Sequence, residues 1–246
     1  MSLSTTPSGD SGHSSLPVIV VTGMAFEARI ARGEGVEVVY AARADLLERA
    51  LNAAIARGCS GILSFGTAGG LAPGLEPGSM IVAEAVEGPF GRIETNRPWA
   101  DRLAAAMAIG PLSARLQRGL MAAVTAPLIS ADDKRALNAS TGALAVDMES
   151  HVAGAAAAAH GLPFAVCRAI VDPAWRTLPS AATAGLRDDG STALAPILRE
   201  LLRQPSQLGA LIQVAVDARA ARISLVQARR AMGEGGALRL AQFSSY

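Results

Sequence analysis

Residues 61–65 (GILSF) form a short apolar segment that runs directly into the glycine-rich residues 66–70 (GTAGG). A buried strand followed by a glycine-rich turn is typical of α/β sheets, which bind ligands where their parallel strands end. This stretch therefore predicts a sheet with a ligand site at residues 66–70. Taken alone the glycine run is a weak signal, because glycine-rich turns also occur for purely structural reasons.

Apolar runs on both sides of this stretch predict the remaining strands, at residues 17–22, 36–40, 79–85, 121–129, 143–146 and 164–171. Apolar residues at helical spacing predict helices at residues 45–57, 149–160, 193–203 and 207–232. In the last helix we expect one packed face made of Leu211, Val214, Ala218 and Ile223. The pattern predicts an α/β protein with a central mixed sheet flanked by helices, in a three-layer α/β/α arrangement. We expect a single domain at residues 16–232, between a disordered leader at 1–15 and a tail at 233–246.

Composition narrows the function classes. Half of the 246 residues are hydrophobic, which is enough for the core of one α/β domain. The 22 Lys and Arg residues nearly balance the 21 Asp and Glu residues, so the basic surface of a nucleic-acid-binding protein is not expected. The absence of a signal peptide and of ~18 consecutive apolar residues predicts a cytoplasmic protein. Cys59 and Cys167 stand alone, so no metal site is expected.

Four polar segments follow predicted strands: residues 23–27 (GMAFE), 66–70, 147–149 (DME) and 168–172 (RAIVD). For residues 66–70, 147–149 and 168–172 a simpler explanation exists as well. Glu149 would suit the positive end of a helix dipole, and an Asp before Pro, as at Asp172, commonly starts a turn. Together, and in this order, the segments resemble the nucleoside phosphorylase superfamily, which includes purine nucleoside and uridine phosphorylases and the methylthioadenosine/S-adenosylhomocysteine nucleosidases. The resemblance covers about residues 18–175 and implies a phosphorylase-like fold that cleaves the N-glycosidic bond of a nucleoside.

The resemblance also implies a role for each matching residue. Asp172 is expected to act as a general acid on N7 of the departing purine. Glu149 is expected to hold the ribose hydroxyls and to stabilise the positive charge that develops on the sugar. Met148 would pack against the sugar, and Arg168 would support Asp172, with Asp147 as a second supporting residue.

The attacking group stays open between water and phosphate. Glu27 matches the residue that activates water in the nucleosidases, and its charge would repel a phosphate dianion by ~1 kcal/mol in water and by several when desolvated. Thr67, however, is similar to the phosphate-contacting Thr of uridine phosphorylases. Phosphate is therefore a candidate co-substrate, and no other cofactor is expected. The predicted pocket for phosphate or for the nucleophile comprises Gly23, Gly66, Thr67, Ala68, Gly69 and Arg43.

The base pocket departs from the nucleosidases, because residues 127–130 (PLIS) lack the aromatic side chain that stacks on adenine there. This pattern looks like the hopanoid-associated phosphorylases, which are implied to remove adenine from adenosylhopane. The expected partner is a small-molecule nucleoside with a lipid-linked 5′ group, which suggests peripheral membrane contact, and the family implies a homo-oligomer. A methylthioadenosine/S-adenosylhomocysteine nucleosidase, a salvage purine phosphorylase and a non-catalytic nucleoside-binding protein are the alternatives. Uridine phosphorylase has only Thr67 in its favour.

Overall fold

The computed structural model describes residues 16–184, 191 and 193–240. The predicted leader at 1–15 and residues 241–246 of the predicted tail lie outside the described residues. The strands are β1 Val18–Thr22, β2 Val36–Tyr40, β3 Gly61–Gly70, β4 Met80–Gly88, β5 Gly91–Glu94, β6 Leu116–Ala123, β7 Ala145–Asp147 and β8 Phe164–Asp172. The helices are α1 Ala25–Ala31, α2 Ala44–Ile55, α3 Arg97–Met107, α4 Ala131–Thr141, α5 Ser150–Ala159, α6 Ser180–Ala184, α7 Leu194–Arg203 and α8 Leu208–Glu234.

These eight strands form one mixed sheet in the order β2-β1-β3-β7-β6-β4-β5, and β8 pairs with both β3 and β4. Strand β1 lies parallel to both of its neighbours, whereas β7 runs antiparallel to β3. Because β8 bridges β3 and β4, the strands β3, β7, β6, β4 and β8 form a closed circuit. The predicted mixed sheet flanked by helices is confirmed, and the closed circuit is a feature that strand patterns alone did not predict.

Both faces of the sheet are buried. Val18 and Val20 of β1 pack in one core with residues of α1, α3 and α8. Ile19 and Val21 point to the opposite face and pack in a second core with residues of α2 and α5. Because successive side chains of a strand alternate between faces, helices on both sides require apolar residues at every position. This explains why the strands appear in the sequence as continuous apolar runs.

The glycine-rich residues 66–70 are part of β3 and do not form the predicted turn. Thr67 pairs with Ala169 of β8, and Gly69 pairs with Val146 of β7. Neighbouring strands on both sides therefore supply hydrogen-bond partners to a segment that would otherwise end the strand. The prediction of a turn was wrong because pairing with distant strands outweighs the local preference of glycine.

Sequence patterns missed α1, α3, α4, α6 and β5, and no element was predicted between residues 129 and 143. Helix α4 fills most of that stretch. Its first turn is capped by Ser130, whose Oγ accepts a hydrogen bond from the backbone N–H of Asp133 at 3.0 Å. It ends at Gly142, whose φ of 71° is the left-handed conformation that glycine adopts easily. Both caps were visible in the sequence, so this helix could have been predicted.

The C-terminal part of the chain differs from the prediction in two ways. Ile223 is 48% exposed, and the buried face of α8 includes Ala221 and Leu225 instead. The start of the predicted tail packs against the domain, where the indole Nε1 of Trp99 donates to the carbonyl oxygen of Ala237 at 2.8 Å. Within the described residues, no helix is both long enough and apolar enough to span a membrane.

Candidate active site

A cavity of about 170 Å³ lies where β1, β3, β7 and β8 reach the same edge of the sheet. Four of its lining residues carry carboxyl groups: Glu27, Asp147, Glu149 and Asp172. The other lining residues are Gly23, Met24, Ala42, Thr67, Ala68, Gly69, Val124, Pro127, Leu128, Val146, Met148, Val171 and Leu178. The structure thus brings together three of the four polar segments singled out in the sequence, and the end of the fourth.

Four hydrogen-bond donors surround the carboxylate of Glu27, which lies in the first turn of α1. Its Oε2 accepts from the backbone N–H groups of Gly23 at 3.2 Å and Met24 at 3.0 Å. Its Oε1 accepts from the backbone N–H and the hydroxyl of Thr67, at 2.8 Å and 2.7 Å. These donors form an anion-binding site of the kind that holds phosphate. Here the side chain of Glu27 already occupies it.

Arg168 on β8 is fully buried and joins two of the other carboxyl groups. Its Nη2 lies 2.7 Å from Oδ2 of Asp147 and 3.1 Å from Oε2 of Glu149, and it donates to Oγ of Ser64 at 2.6 Å. The structure differs here from the expectation that Arg168 supports Asp172. Four residues along a strand span about 13 Å, so the two side chains leave β8 at well-separated points.

Glu149 lies at the start of α5, and its side chain is 15% exposed. Burial raises the pKa of Glu149 to about 7, because the charged form loses its hydration. The guanidinium of Arg168 opposes this rise, whereas the nearby carboxylates of Asp147 and Glu27 add to it. Arg168 is therefore a buried cation beside several carboxyl groups, and burial leaves Glu149 with a pKa close to neutral.

Two glycines allow these side chains to approach the backbone. A Cβ atom at Gly66 would lie 2.7 Å from Oε2 of Glu27 and 2.7 Å from Nη1 of Arg168. A Cβ atom at Gly23 would lie 2.8 Å from the carboxyl carbon of Glu149. Distances below 3.0 Å force a neighbouring atom to move. Both glycines were predicted site residues. In the structure, a larger residue at either position would clash with a side chain of the site.

Asp172 ends β8, and a lysine that the sequence analysis missed lies beside it. Lys134 of α4 is fully buried, and its ammonium group forms an ion pair with Oδ2 of Asp172. Burial raises the pKa of Asp172, and the charge of Lys134 offsets part of that rise. No local signal links the two residues, because 38 positions separate them. Recognising α4 from its caps would have placed Lys134 on a helix, but not at the site.

Arg43 does not line the cavity. Its guanidinium is 52% exposed and pairs with Asp45 at 2.5 Å, whereas the preceding residue, Ala42, is a lining residue. Gly66 was predicted for the same pocket and does not line the cavity either, whereas Ala68 and Gly69 do. Met148, which was expected to pack against the sugar, is also a lining residue. In residues 16–184, 191 and 193–240, no three His, Cys, Asp or Glu side chains are grouped so that they could hold a metal ion.

Comparisons with solved structures show the same fold in nucleosidases. The futalosine hydrolase of Helicobacter pylori strain 26695 matches with a TM-score of 0.64 and 16% identity, over 90% of this chain and 99% of that chain. A 5′-methylthioadenosine/S-adenosylhomocysteine nucleosidase of Helicobacter pylori gives a TM-score of 0.63 and 16% identity, over 90% and 98%. The S-adenosylhomocysteine nucleosidase of Streptococcus pyogenes gives 0.59 and 17%, over 67% and 86%.

No curated protein matches the chain in sequence. The model of the phosphorylase superfamily, in contrast, matches residues 15–203, which include all the strands and the whole cavity lining. The site geometry and this match point to the same conclusion: the chain belongs to the phosphorylase superfamily.

Proposed function

We propose that the protein hydrolyses the N-glycosidic bond of a 5′-substituted adenosine and releases adenine. The observation that carries this proposal is the carboxylate of Glu27, bound by four donors in the same cavity as Glu149 and Asp172. Structural relatives named as nucleosidases of 5′-methylthioadenosine and S-adenosylhomocysteine support an adenosine substrate.

In the proposed reaction, the bond between C1′ of the sugar and N9 of the base breaks as Asp172 transfers its proton to N7. Adenine then leaves as a neutral base, and burial of Asp172 favours the protonated form that this step needs. The oxygen of a water molecule bonds to C1′, and the proton of that water passes to Glu27. Glu149 accepts hydrogen bonds from the sugar hydroxyls, and in its ionised form, which predominates above a pH of about 7, its negative charge stabilises the positive charge on the ring.

Water is favoured over phosphate because the anion-binding donors are already in use. A phosphate ion would have to displace the carboxylate of Glu27 from the N–H groups of Gly23, Met24 and Thr67. It would also enter a cavity that Asp147, Glu149 and Asp172 line. Like charges at about 4 Å repel by ~1 kcal/mol in water and by several when desolvated, so we expect hydrolysis.

Adenine release from 5′-methylthioadenosine, measured with and without phosphate, tests this reaction. We expect equal rates in both buffers and the free sugar as the second product. A sugar 1-phosphate would instead identify a phosphorylase. Asp172→Asn should lower kcat by about 100-fold or more, because the variant has no proton to give. Asp101→Asn, an exposed carboxyl group on α3, is the matched control and should keep full activity. A protein that binds adenine but releases none would be a nucleoside-binding protein.

We propose further that the 5′ group is large and apolar, as in adenosylhopane of hopanoid biosynthesis. Apolar side chains support this, because Val124, Pro127, Leu128 and Leu178 all line the cavity. The test compares kcat/KM for two adenosines, one with a 5′-methylthio group and one with a long 5′-alkyl chain. We expect a higher kcat/KM for the long chain. A preference for the methylthio compound would favour a nucleosidase of small substrates, and a preference for unsubstituted adenosine or inosine would favour a salvage enzyme.

A lipid-linked substrate adds the proposal of peripheral membrane contact. On α7, Leu198 is 61% exposed and Leu202 is 83% exposed, and each is followed by an arginine, Arg199 and Arg203. Exposed leucines beside arginines suit an anionic lipid surface. We expect Leu202→Glu to weaken sedimentation with anionic vesicles, whereas Ile109→Glu, equally exposed at 83%, should not.

We also propose a homo-oligomer, which light scattering tests directly. The same measurement shows whether the exposed leucines on α7 contact lipid or a second copy of the chain. If Leu202→Glu abolished assembly and left vesicle binding unchanged, this surface would contact a second copy of the chain and not lipid.

A further inference from the structure

Lys134 is a buried cation with every donor in use. Its Nζ donates to the carboxylate of Asp172, to the carbonyl oxygen of Arg176 at 2.9 Å and to that of Pro173 at 3.3 Å. An ammonium group has three N–H donors, so these contacts satisfy it completely. These three hydrogen bonds connect α4 to the end of β8 and to the segment that follows it. A buried lysine is costly unless it is paired in this way.

We infer that Lys134 is a positioning residue for the release of the base: it fixes the carboxyl group of Asp172 and stabilises its negative charge as the proton leaves. This inference rests on the proposed function. Because Lys134 engages Oδ2, the other oxygen, Oδ1, is the one that carries the proton to N7 of the base. In this proposal Asp172 is the acid, and Lys134 transfers no proton to the base.

Lys134 stabilises the negative charge of Asp172 because the charge of Asp172 changes during the reaction. In the structure Lys134 and Asp172 form an ion pair, and the proposed reaction starts from the form in which Asp172 has taken up a proton, so that the ammonium then faces a neutral carboxylic acid. After the transfer it faces a carboxylate, so the attraction is greater once the proton has moved, and interactions that strengthen along the reaction accelerate it. The carboxylate of Asp217 on α8, which pairs with the guanidinium of Arg176 at 2.9 Å, also acts on Asp172 and raises its pKa, so Lys134 is the cation that opposes this rise.

The pH dependence of kcat/KM tests this role in the full-length chain with 5′-methylthioadenosine as the substrate. In the wild type, activity falls at high pH as Asp172 loses its proton. Lys134→Gln keeps a hydrogen-bond donor but removes the charge, so the pKa of Asp172 should rise further. We expect the alkaline limb to move up by about one pH unit or more. The plateau of kcat should fall by about tenfold to a hundredfold, because Asp172 becomes a weaker acid. Lys134→Arg keeps the charge and should retain the wild-type limb.

The control variant is Arg135→Met, the next residue on α4, whose side chain is 73% exposed. It should leave the pH profile unchanged. A lower kcat for Lys134→Gln with an unshifted limb would overturn the inference and leave a structural role. If Lys134→Gln does not fold, the double variant Lys134→Gln/Asp172→Asn removes both charges. It should match Asp172→Asn in activity if Lys134 acts through Asp172, and lower activity would also overturn the inference. A wild type that releases no adenine would refute the proposed function instead.

Discussion

Replacing Glu149 with Gln should change how the stability of the protein depends on pH. Buried beside Asp147 and Glu27, Glu149 has a pKa of about 7, against an ordinary value of 4.5. The folded protein therefore binds a proton between pH 4.5 and 7 that the unfolded chain has already released. Stability is highest below this window and falls as the pH rises through it, because the folded state must give up a favourable proton.

The size of the effect follows from the two pKa values. Between pH 5 and pH 8, the ionisation of Glu149 should lower the free energy of unfolding of the wild type by about 2.5 kcal/mol. The amide of the Glu149→Gln variant carries no ionisable proton and leaves the pair of Arg168 and Asp147 in place. Relative to the wild type, this variant should therefore become more stable by about 2.5 kcal/mol over this range.

Urea unfolding followed by circular dichroism at several pH values between 5 and 8 provides the measurement. Glu48→Gln, an exposed carboxyl group on α2, is the control, and its stability relative to the wild type should not vary with pH. A difference between Glu149→Gln and the wild type that stays constant within about 0.5 kcal/mol across this range would refute the reasoning. It would mean that Glu149 is ionised throughout, with Arg168 fully compensating its burial.

Three further substitutions test the packing of the site and the fold. Gly66→Ala places a methyl group 2.7 Å from Oε2 of Glu27, so adenine release should fall by at least about tenfold while the far-UV circular dichroism spectrum is kept. Trp99→Phe removes the hydrogen bond to Ala237 and leaves a cavity, and should lower the free energy of unfolding by about 1–3 kcal/mol in a urea titration. Gly142→Ala forces a side chain into the left-handed conformation at φ 71° and should cost about 1 kcal/mol, although nothing obstructs its Cβ.

Much of the site was predictable because its residues follow strands that local patterns identify. The apolar runs of β1 and β8 place Gly23 and Asp172 at strand ends, and the segment after β7 begins with Met148 and Glu149. Parallel strands bring their carboxyl ends to one edge of a sheet, so Gly23 and Asp172 could be assigned to one cavity. Met148 and Glu149 reach it differently, because β7 is a short strand that pairs antiparallel with the end of β3. The residue types, carboxyl groups above all, indicated acid–base chemistry on a sugar.

The hydrogen-bond and ion-pair partners of those residues could not be predicted from the sequence. Whether Glu27 binds water or stands in the place of phosphate depends on four donors, two of them contributed by Thr67 on another strand. Similarly, Arg168 pairs with Asp147 and Glu149, and Asp172 pairs with Lys134, because of where β7, α5 and α4 pack.

The sequence by itself determined the alternation of strands and helices, the apolar core and the identity of the acidic residues, because these depend on periodicity and composition within short windows. Tertiary structure alone decided that residues 66–70 extend β3, since β7 and β8 supply their hydrogen bonds. It also decided which cation meets which carboxyl group, and hence that the pKa values of Glu149 and Asp172 are raised. Such pairings depend on contacts and burial between distant segments, which no local pattern records.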